Sequence, residues 1–410
     1  MASFLTQAES RQPKVGLVHI TTVPQTLGFF RGQINYLKAH AYEVHAVTSP
    51  GRAAGEFQTH ESIPVHCIPM TRTISPAVDL YALYQLYSLI HTLKPDIVHS
   101  HTPKAGLLGT LAARLAGVPV VVLSVFGLVQ MTRTGFARFM LDATTRLACS
   151  LADRVWCDSY SMRDYMADQA LCPAEKIMVL GQGSVNGVEA DKEFSPDVHG
   201  SADRASIRDL YGIPLKATVL GFVGRIVGDK GIHELVEAWM QLRAQTSSVH
   251  LLLVGQFEAK DPLLAEDEKL LQTDERVHLA GWRTDIAAHM AAMDVFIMPS
   301  YREGFGVTNI EAAAMRLPVV STRIPGCIDS VVDGVTGTLV PPHLSAALSD
   351  AIQLYLDHPE LRQQHGQAGR ERVLRDFRPE TIWTDLLREY TALLTAKGMV
   401  PSTAAARESI

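Results

Sequence analysis

A chain of 410 residues is too long for one hydrophobic core, so two domains of ordinary size are expected. With 47% hydrophobic and 20% charged residues the composition excludes a disordered or fibrous chain, and a net charge of −6 gives no support to a nucleic-acid partner. The odd set Cys67, Cys149, Cys157, Cys172 and Cys327, with no C-x-x-C pair, argues against a disulfide framework or a zinc site and reads as buried free thiols.

The opening MASFLTQAESRQPK has no apolar run behind positive charge, so no signal peptide is expected there. The first strand is KVGLVHI, Lys14–Ile20, followed by the loop TTVPQTLG, a helix-like FFRGQINYLKAH and a second strand, YEVHAVTS. Strand, helix and strand within about 35 residues make a βαβ unit. The pattern recurs, with the helical DLYALYQLYSLIHTL before the strand DIVHSH, and AGLLGTLAARLAG before VPVVVLSVF. Val118–Met131 is the longest apolar stretch. Pro119, Ser124, Gly127 and Gln130 interrupt it, and it falls short of the ~20 residues a membrane span needs. A helix from about Phe136 then leads to the strand RVWCDS.

The interval Asn186–Tyr211, rich in Gly, Asp, Ser and Pro, reads as an inter-domain connection. A second series begins with TVLGFVGR and continues through the helix GIHELVEAWMQLRA, the strand VHLLLVG and the helix PLLAEDEKLLQT. The strands VHLAG, DVFIMPS and PVVST follow, with the helix NIEAAAMRL between the last two. The alternation predicts an α/β protein with two parallel sheets covered by helices. The domains are expected at 1–188 and 189–378, with 379–410 a helix returning toward the first domain and a frayed tail. Neither series carries G-x-G-x-x-G after its first strand, which disfavours a NAD dehydrogenase.

Candidate chemistry lies in the second series, at strand C-terminal ends. GFVGRIVGDKG, Gly221–Gly231, puts Arg225 and Lys230 in a glycine-bearing turn that opens a helix, fitted to clamp a diphosphate. Two solvated loop charges are an equally good account of that pair alone. PSYREGFGVTNIEA, Pro299–Ala312, ends a strand, carries Glu303, Gly304 and Gly306 in a loop, and starts a helix near Thr308. Its glycines let backbone N–H groups approach a ligand, and its two glutamates can accept hydrogen bonds from hydroxyls. For Glu311 the bland alternative is a first-turn carboxylate complementing the helix dipole. Asp261 and Asp285 read as isolated surface charges with no metal implied.

These motifs resemble the family 4 retaining glycosyltransferases of the GT-B fold. The G-R…K-G turn is Gly224, Arg225, Lys230 and Gly231, the E-x7-E element is Glu303 and Glu311, and GSVNGVE at Gly183–Glu189 is similar to the family's crossover. The resemblance runs from about Lys14 to Leu394. It implies two Rossmann-like domains facing across a cleft and a nucleotide-diphosphate sugar donor, UDP favoured, used as a substrate with no cofactor and no metal. Arg225 and Lys230 would hold the diphosphate, Glu303 the sugar and Glu311 the ribose, with Glu303, Arg225 and Lys230 acting in catalysis. Gly28, Gly224, Gly255, Gly304, Phe305, Gly306, Val307 and Thr308 would complete the donor site, with Trp282 and Arg283 beside the base.

The first domain is expected to hold a saccharide or polyprenyl-diphosphate-linked acceptor, through His101, Thr102, Lys104, Phe126 and Gly127. A histidine hydrogen-bonded inside a strand end is the plainer account of His99. Phe126 stands where many relatives have histidine, which suggests a different sugar. Leu128–Arg146 mixes Met131, Phe136, Phe139 and Met140 with Arg133, Arg138 and Arg146. That is either a surface for anionic lipid or an amphipathic helix packing inward. The expectation is a cytoplasmic enzyme, peripheral on the membrane's inner face in the lipid reading, that builds a bacterial polysaccharide or glycoconjugate. A nucleotide-sugar 2-epimerase and a non-catalytic sugar-nucleotide-binding subunit are the alternatives.

Overall fold

The computed structural model describes residues 14–399 except Ile74 and Lys260. The expected signal-free start and frayed tail lie outside the described residues, apart from Lys14 at the start. Seven strands form the first sheet: β1 Val15–Ile20, β2 Tyr42–Thr48, β3 Val65–Cys67, β4 Ile97–His101, β5 Val120–Val125, β6 Arg154–Cys157 and β7 Ile177–Val179. Six form the second: β8 Thr218–Val223, β9 Val249–Val254, β10 Val277–Gly281, β11 Val295–Met298, β12 Val319–Thr322 and β13 Gly337–Val340.

The orders are β3-β2-β1-β4-β5-β6-β7 and β10-β9-β8-β11-β12-β13. Each is the doubly wound Rossmann order, reversing direction between β1 and β4 and between β8 and β11. The chain is therefore an α/β protein, as the alternation of strands and helices predicts, and its two Rossmann-like domains are those that the GT-B resemblance implies.

Strands covered on both faces carry continuous apolar runs, and VVVLSV of β5 is buried throughout. In the second sheet the period-two pleat splits each strand between two cores. Val219, Val223, Leu252 and Phe296 face one side, and Leu220, Phe222, Leu251 and Ile297 the other.

By internal packing the chain divides into two compact units. Among the described residues, one comprises those up to Ser124, Leu147–Val155 and those from Trp383 on. The other comprises Val125–Arg146 and Trp156–Ile382. The C-terminal helix Pro379–Ala396 gives the first unit Tyr390, whose hydroxyl lies 2.7 Å from Nδ1 of His99.

Three sequence readings need correction. FFRGQINYLKAH is not one helix, since the 3-10 segment Pro24–Phe30 ends before Gln33–Ala39 begins. Gly32, in the left-handed region at φ 75°, turns the chain between them. The interval Asn186–Tyr211 contains the helix Ser201–Leu210, which apolar spacing alone does not reveal. It is anchored by guanidinium groups instead. Arg208, fully buried, donates to the carbonyls of Ala292, Leu215 and Ala217 and to Asp294, which also receives Arg204. Finally, four of the cysteines are buried but Cys67, on the edge strand β3, is exposed.

Candidate functional site

Open parallel sheets gather ligands beyond the C-terminal ends of the two strands where the order reverses. In the second sheet those strands are β8 and β11, and the two motif-bearing segments are the loops that follow them. The turn after β8 is a short 3-10 segment, Gly228–Lys230, closed by Gly231 at φ 65°. A Cβ on Gly231 would lie 2.0 Å from the carbonyl oxygen of Pro299, so a glycine there lets the two loops touch.

The backbone N–H of Asp229 donates to the Asp261 carboxylate at 2.8 Å, and the Asp229 carboxylate accepts from Arg302 Nε at 3.0 Å. Asp261 is thus a brace of the turn, which corrects its reading as an isolated surface charge. Asp285 is likewise not isolated, because both of its oxygens accept from Arg283.

The cations come with partners that spacing could not reveal. Lys230 Nζ meets Glu303 Oε1 at 2.5 Å, both side chains being mostly covered. Arg225 donates to Glu258 at 3.0 Å. A carboxylate therefore holds each cation over the loops, and an incoming diphosphate would compete for both. The Glu303 loop is built without slack. A Cβ on Gly304 would fall 2.5 Å from Asp158 Oδ2 and 2.9 Å from the nitrogen of Gly127, and the Gly304 carbonyl accepts from Ser159 Oγ at 2.8 Å. Asp158, Ser159 and Glu258 join the site's surroundings only through this packing. Burial holds the Asp158 carboxyl well above the usual carboxylate range.

Gly306, at φ 75°, precedes the helix Val307–Ala314 and lets its first N–H groups face the loop. Phe305 is buried and packs edge-on to Phe377 at 5.3 Å, so its ring belongs to the core. Val307 and Thr308 are half-buried at the helix start. Glu311 stands in the second turn, not among the first-turn acids, which corrects the dipole-complementing reading. It keeps some exposure but is closely ringed by protein; burial first, and Glu193 second, push its pKa up to about 7. Gly224 and Gly255 end β8 and β9, where the N–H of Gly224 bonds Val254 and that of Gly255 bonds Gly281. Trp282 is two-thirds exposed after β10, next to Arg283.

In the first unit, Gly28 lies in the segment after β1, and His101, Thr102 and Lys104 lie at the end of β4, again the strands of the order reversal. Thr102 is held at φ 71°, a left-handed conformation costly for a β-branched residue, and its hydroxyl meets that of Thr22 at 2.8 Å. Lys104 is engaged with Asp79 at 2.5 Å and with the carbonyl of Thr73.

His99 bonds Ser124 and Tyr390 at 2.7 Å each, as its plainer reading holds. His19 Nδ1 lies 2.9 Å from His101 Nε2, and His19, His99 and His101 form a stacked, buried group against Phe30. Their ring nitrogens are close enough to share an ion. The hydroxyl partners occupy both nitrogens of His99, so such an ion would have to displace them. Burial lowers the pKa of His19 to about 3 and holds the other two well below the imidazole range.

Phe126 and Gly127 follow β5, with Gly127 at φ 91°. In the helix Gly135–Leu151, Phe136 is 77% and Phe139 61% exposed, so its first turns do not pack their apolar side chains inward. No helix among the described residues is long and apolar enough to cross a membrane.

The family described as "Glycosyl transferases group 1" matches residues 203–372, and that described as "Glycosyl transferase 4-like domain" matches 29–183. The chain is 35% identical over 379 residues to the capsular polysaccharide biosynthesis glycosyltransferase CapM of Staphylococcus aureus, covering 92% of this chain and 97% of that one. It is 27% identical over 325 residues to an Escherichia coli galactosyltransferase named for UDP-Gal and α-D-GlcNAc-diphosphoundecaprenol, covering 78% and 82% of the two chains. Among solved structures, Anabaena HepE in complex with UDP-glucose matches with a TM-score of 0.76 at 21% identity, covering 92% of this chain and 99% of that one.

Proposed function

Because the chain belongs to the group 1 glycosyltransferases, we propose that it transfers a hexose or N-acetylhexosamine from a UDP-sugar to a saccharide or polyprenyl-diphosphate-linked acceptor, with retention and without a metal, in the assembly of a bacterial surface polysaccharide or related glycoconjugate. One observation carries the donor half. Arg225 with Lys230 lie in the loop after β8, and Glu303 in the loop after β11 with Glu311 in the helix that this loop opens, beyond the two strands that flank the order reversal of one sheet. Arg225 and Lys230 would hold the diphosphate and stabilise the charge that collects on it as the bond to the sugar breaks. Glu303 would position the sugar, and the N–H groups at the start of Val307–Ala314 would add to the clamp. The new bond joins the acceptor oxygen to the anomeric carbon, and the leaving diphosphate takes the acceptor's proton.

The acceptor half is supported by the strained Thr102 at the matching place in the first sheet, and by the lipid-diphosphate acceptor for which the Escherichia coli relative is named. Exposed Phe136 and Phe139 beside Arg133 support peripheral contact with an anionic membrane from the cytoplasmic side.

The test is transfer from UDP-hexoses and UDP-N-acetylhexosamines to a polyprenyl-diphosphate-linked sugar in excess EDTA, with the product's anomeric configuration read by NMR. UDP release coupled to an α-linked product is the expected result. Activity that vanishes in EDTA and returns with manganese overturns the metal-free reading. An isomerised donor without transfer points to an epimerase, and donor binding without turnover to a binding subunit.

A further inference from the structure

A cavity of about 360 Å³ opens in the second unit, at the N-terminal ends of β11 and β12. Its walls include Met293 and Asp294, just before β11, and Leu317 and Pro318, just before β12. The donor loops leave the other ends of β8 and β11. The cavity is basic. Arg204, Arg316 and Arg362 line it, and its lining carboxylate, Asp294, is already shared by Arg204 at 2.6 Å and Arg208 at 2.7 Å.

Arg362 is the telling residue. Half-buried, it lines the cavity, and its Nη1 has no hydrogen-bond partner among the described residues. That nitrogen is covered by protein, so it reaches an oxyanion only once the guanidinium turns outward, which relieves the ~1–3 kcal/mol cost of an unpaired buried donor. The nearby carboxylate of Glu360 is hydrogen-bonded to His358 at 3.0 Å instead. Arg362 also lies in the first turn of the 18-residue helix Pro359–Asp376, whose N-terminal dipole adds to the positive field.

Arg316 has a second peculiarity. It sits at φ 60°, just past the helix Val307–Ala314, where glycine is the favoured residue. A Cβ on Gly366 would lie 2.0 Å from the Arg316 carbonyl oxygen, so close backbone packing fixes this turn. A cation is thereby held at the cavity's rim at a conformational cost. Met290, Met315 and Leu317 supply an apolar wall, and the volume falls in the ordinary range for small-ligand pockets.

We propose that this cavity is a second ligand site, for a small organic phosphate whose oxyanion is gripped by Arg316 and Arg362 and whose body rests on the methionine wall. It stands independently of the donor reading. The test is calorimetric titration of the full chain carrying Arg225→Ala and Lys230→Ala, which disables the proposed donor clamp. Glucose 1-phosphate, inorganic phosphate and glucose serve as probes. Expected is one equivalent of glucose 1-phosphate bound per chain, tighter than inorganic phosphate, with no binding of glucose. Adding Arg316→Gly or Arg362→Gln should weaken it at least tenfold. Arg316→Gly supplies the residue that a left-handed turn prefers, so an unchanged melting temperature separates lost binding from lost folding. Absence of binding in the clamp-disabled chain, binding indifferent to both arginine changes, or inorganic phosphate binding as tightly as the ester overturns the proposal.

Discussion

Glu303 and Glu311 stand one helix-start apart, and the proposed function gives them different work. Glu303 is paired with Lys230 at 2.5 Å, beside the place where charge would develop. Glu303→Gln keeps the shape and removes the charge, so kcat should fall at least a hundredfold with a smaller change in donor KM. Glu311→Gln should instead raise donor KM by about tenfold and leave kcat largely intact, since a ribose contact is equally strong before and at the transition state. Steady-state kinetics on both variants decide it, and near-parental turnover by Glu303→Gln refutes its role.

Glu311 also makes a proton prediction. Its pKa of about 7 leaves it part protonated at neutral pH. Hydroxyls donating to the carboxylate favour its charged form, so donor binding should release about half a proton near pH 7. Calorimetry in buffers of different ionisation enthalpy reads that number. A value of zero, or proton uptake, speaks against the ribose assignment. Gly231→Ala is expected to cost more than ~1 kcal/mol and to weaken donor binding at least tenfold, because the added Cβ meets the Pro299 carbonyl at 2.0 Å. Unchanged melting and unchanged donor affinity would show that the two loops are not locked together there.

At the scale of elements, long apolar strands and helices are legible because several periods of their pattern fit within them. Strands β3 and β7, of three residues each, are too short to declare a period. The helix Ser201–Leu210 escapes for another reason, being tethered through arginines rather than an apolar stripe.

The helix Gly135–Leu151 shows the limit from the other side. Its composition fits a packed or a membrane-facing helix equally well, and only exposure separates them. Arg138 and Arg146 turn out to brace the segment, donating to Gln169 and to the carbonyl of Ala170, while Arg133 is exposed beside the phenylalanines. Vesicles containing anionic lipid should therefore recruit the protein more than neutral ones, and less as salt rises. Phe136→Ser with Phe139→Ser should reduce recruitment more than Arg133→Glu. Flotation indifferent to lipid charge and to the phenylalanines would reduce this face to ordinary surface.

For the molecule as a whole, the buried group of His19, His99 and His101 ties the first unit's stability to pH. Their folded pKa values lie below the unfolded value near 6.5, His19 at about 3, so the unfolded chain takes up protons first on acidification. Stability should be insensitive to these groups above about pH 6.5 and decline below it, by up to ~1.4 kcal/mol per pH unit for each histidine that stays neutral when folded. Melting curves between pH 7 and 5 should show the decline, and His19→Phe, which keeps a ring against Phe30, should lessen the slope. Equal slopes in the two proteins would remove His19 from the account.

The sequence alone determined the alternation of strands and helices, hence the doubly wound class, and the residue types able to grip a diphosphate and a sugar. Both are local properties, written in apolar period and in charge beside glycine. Only the tertiary structure decided which charges meet. That Lys230 faces Glu303, that Arg225 faces Glu258, and that Asp261 braces the turn depend on pairings 30 or more residues apart. The raised Glu311 and the lowered histidines likewise depend on burial, which is a property of packed neighbours and not of the chain order.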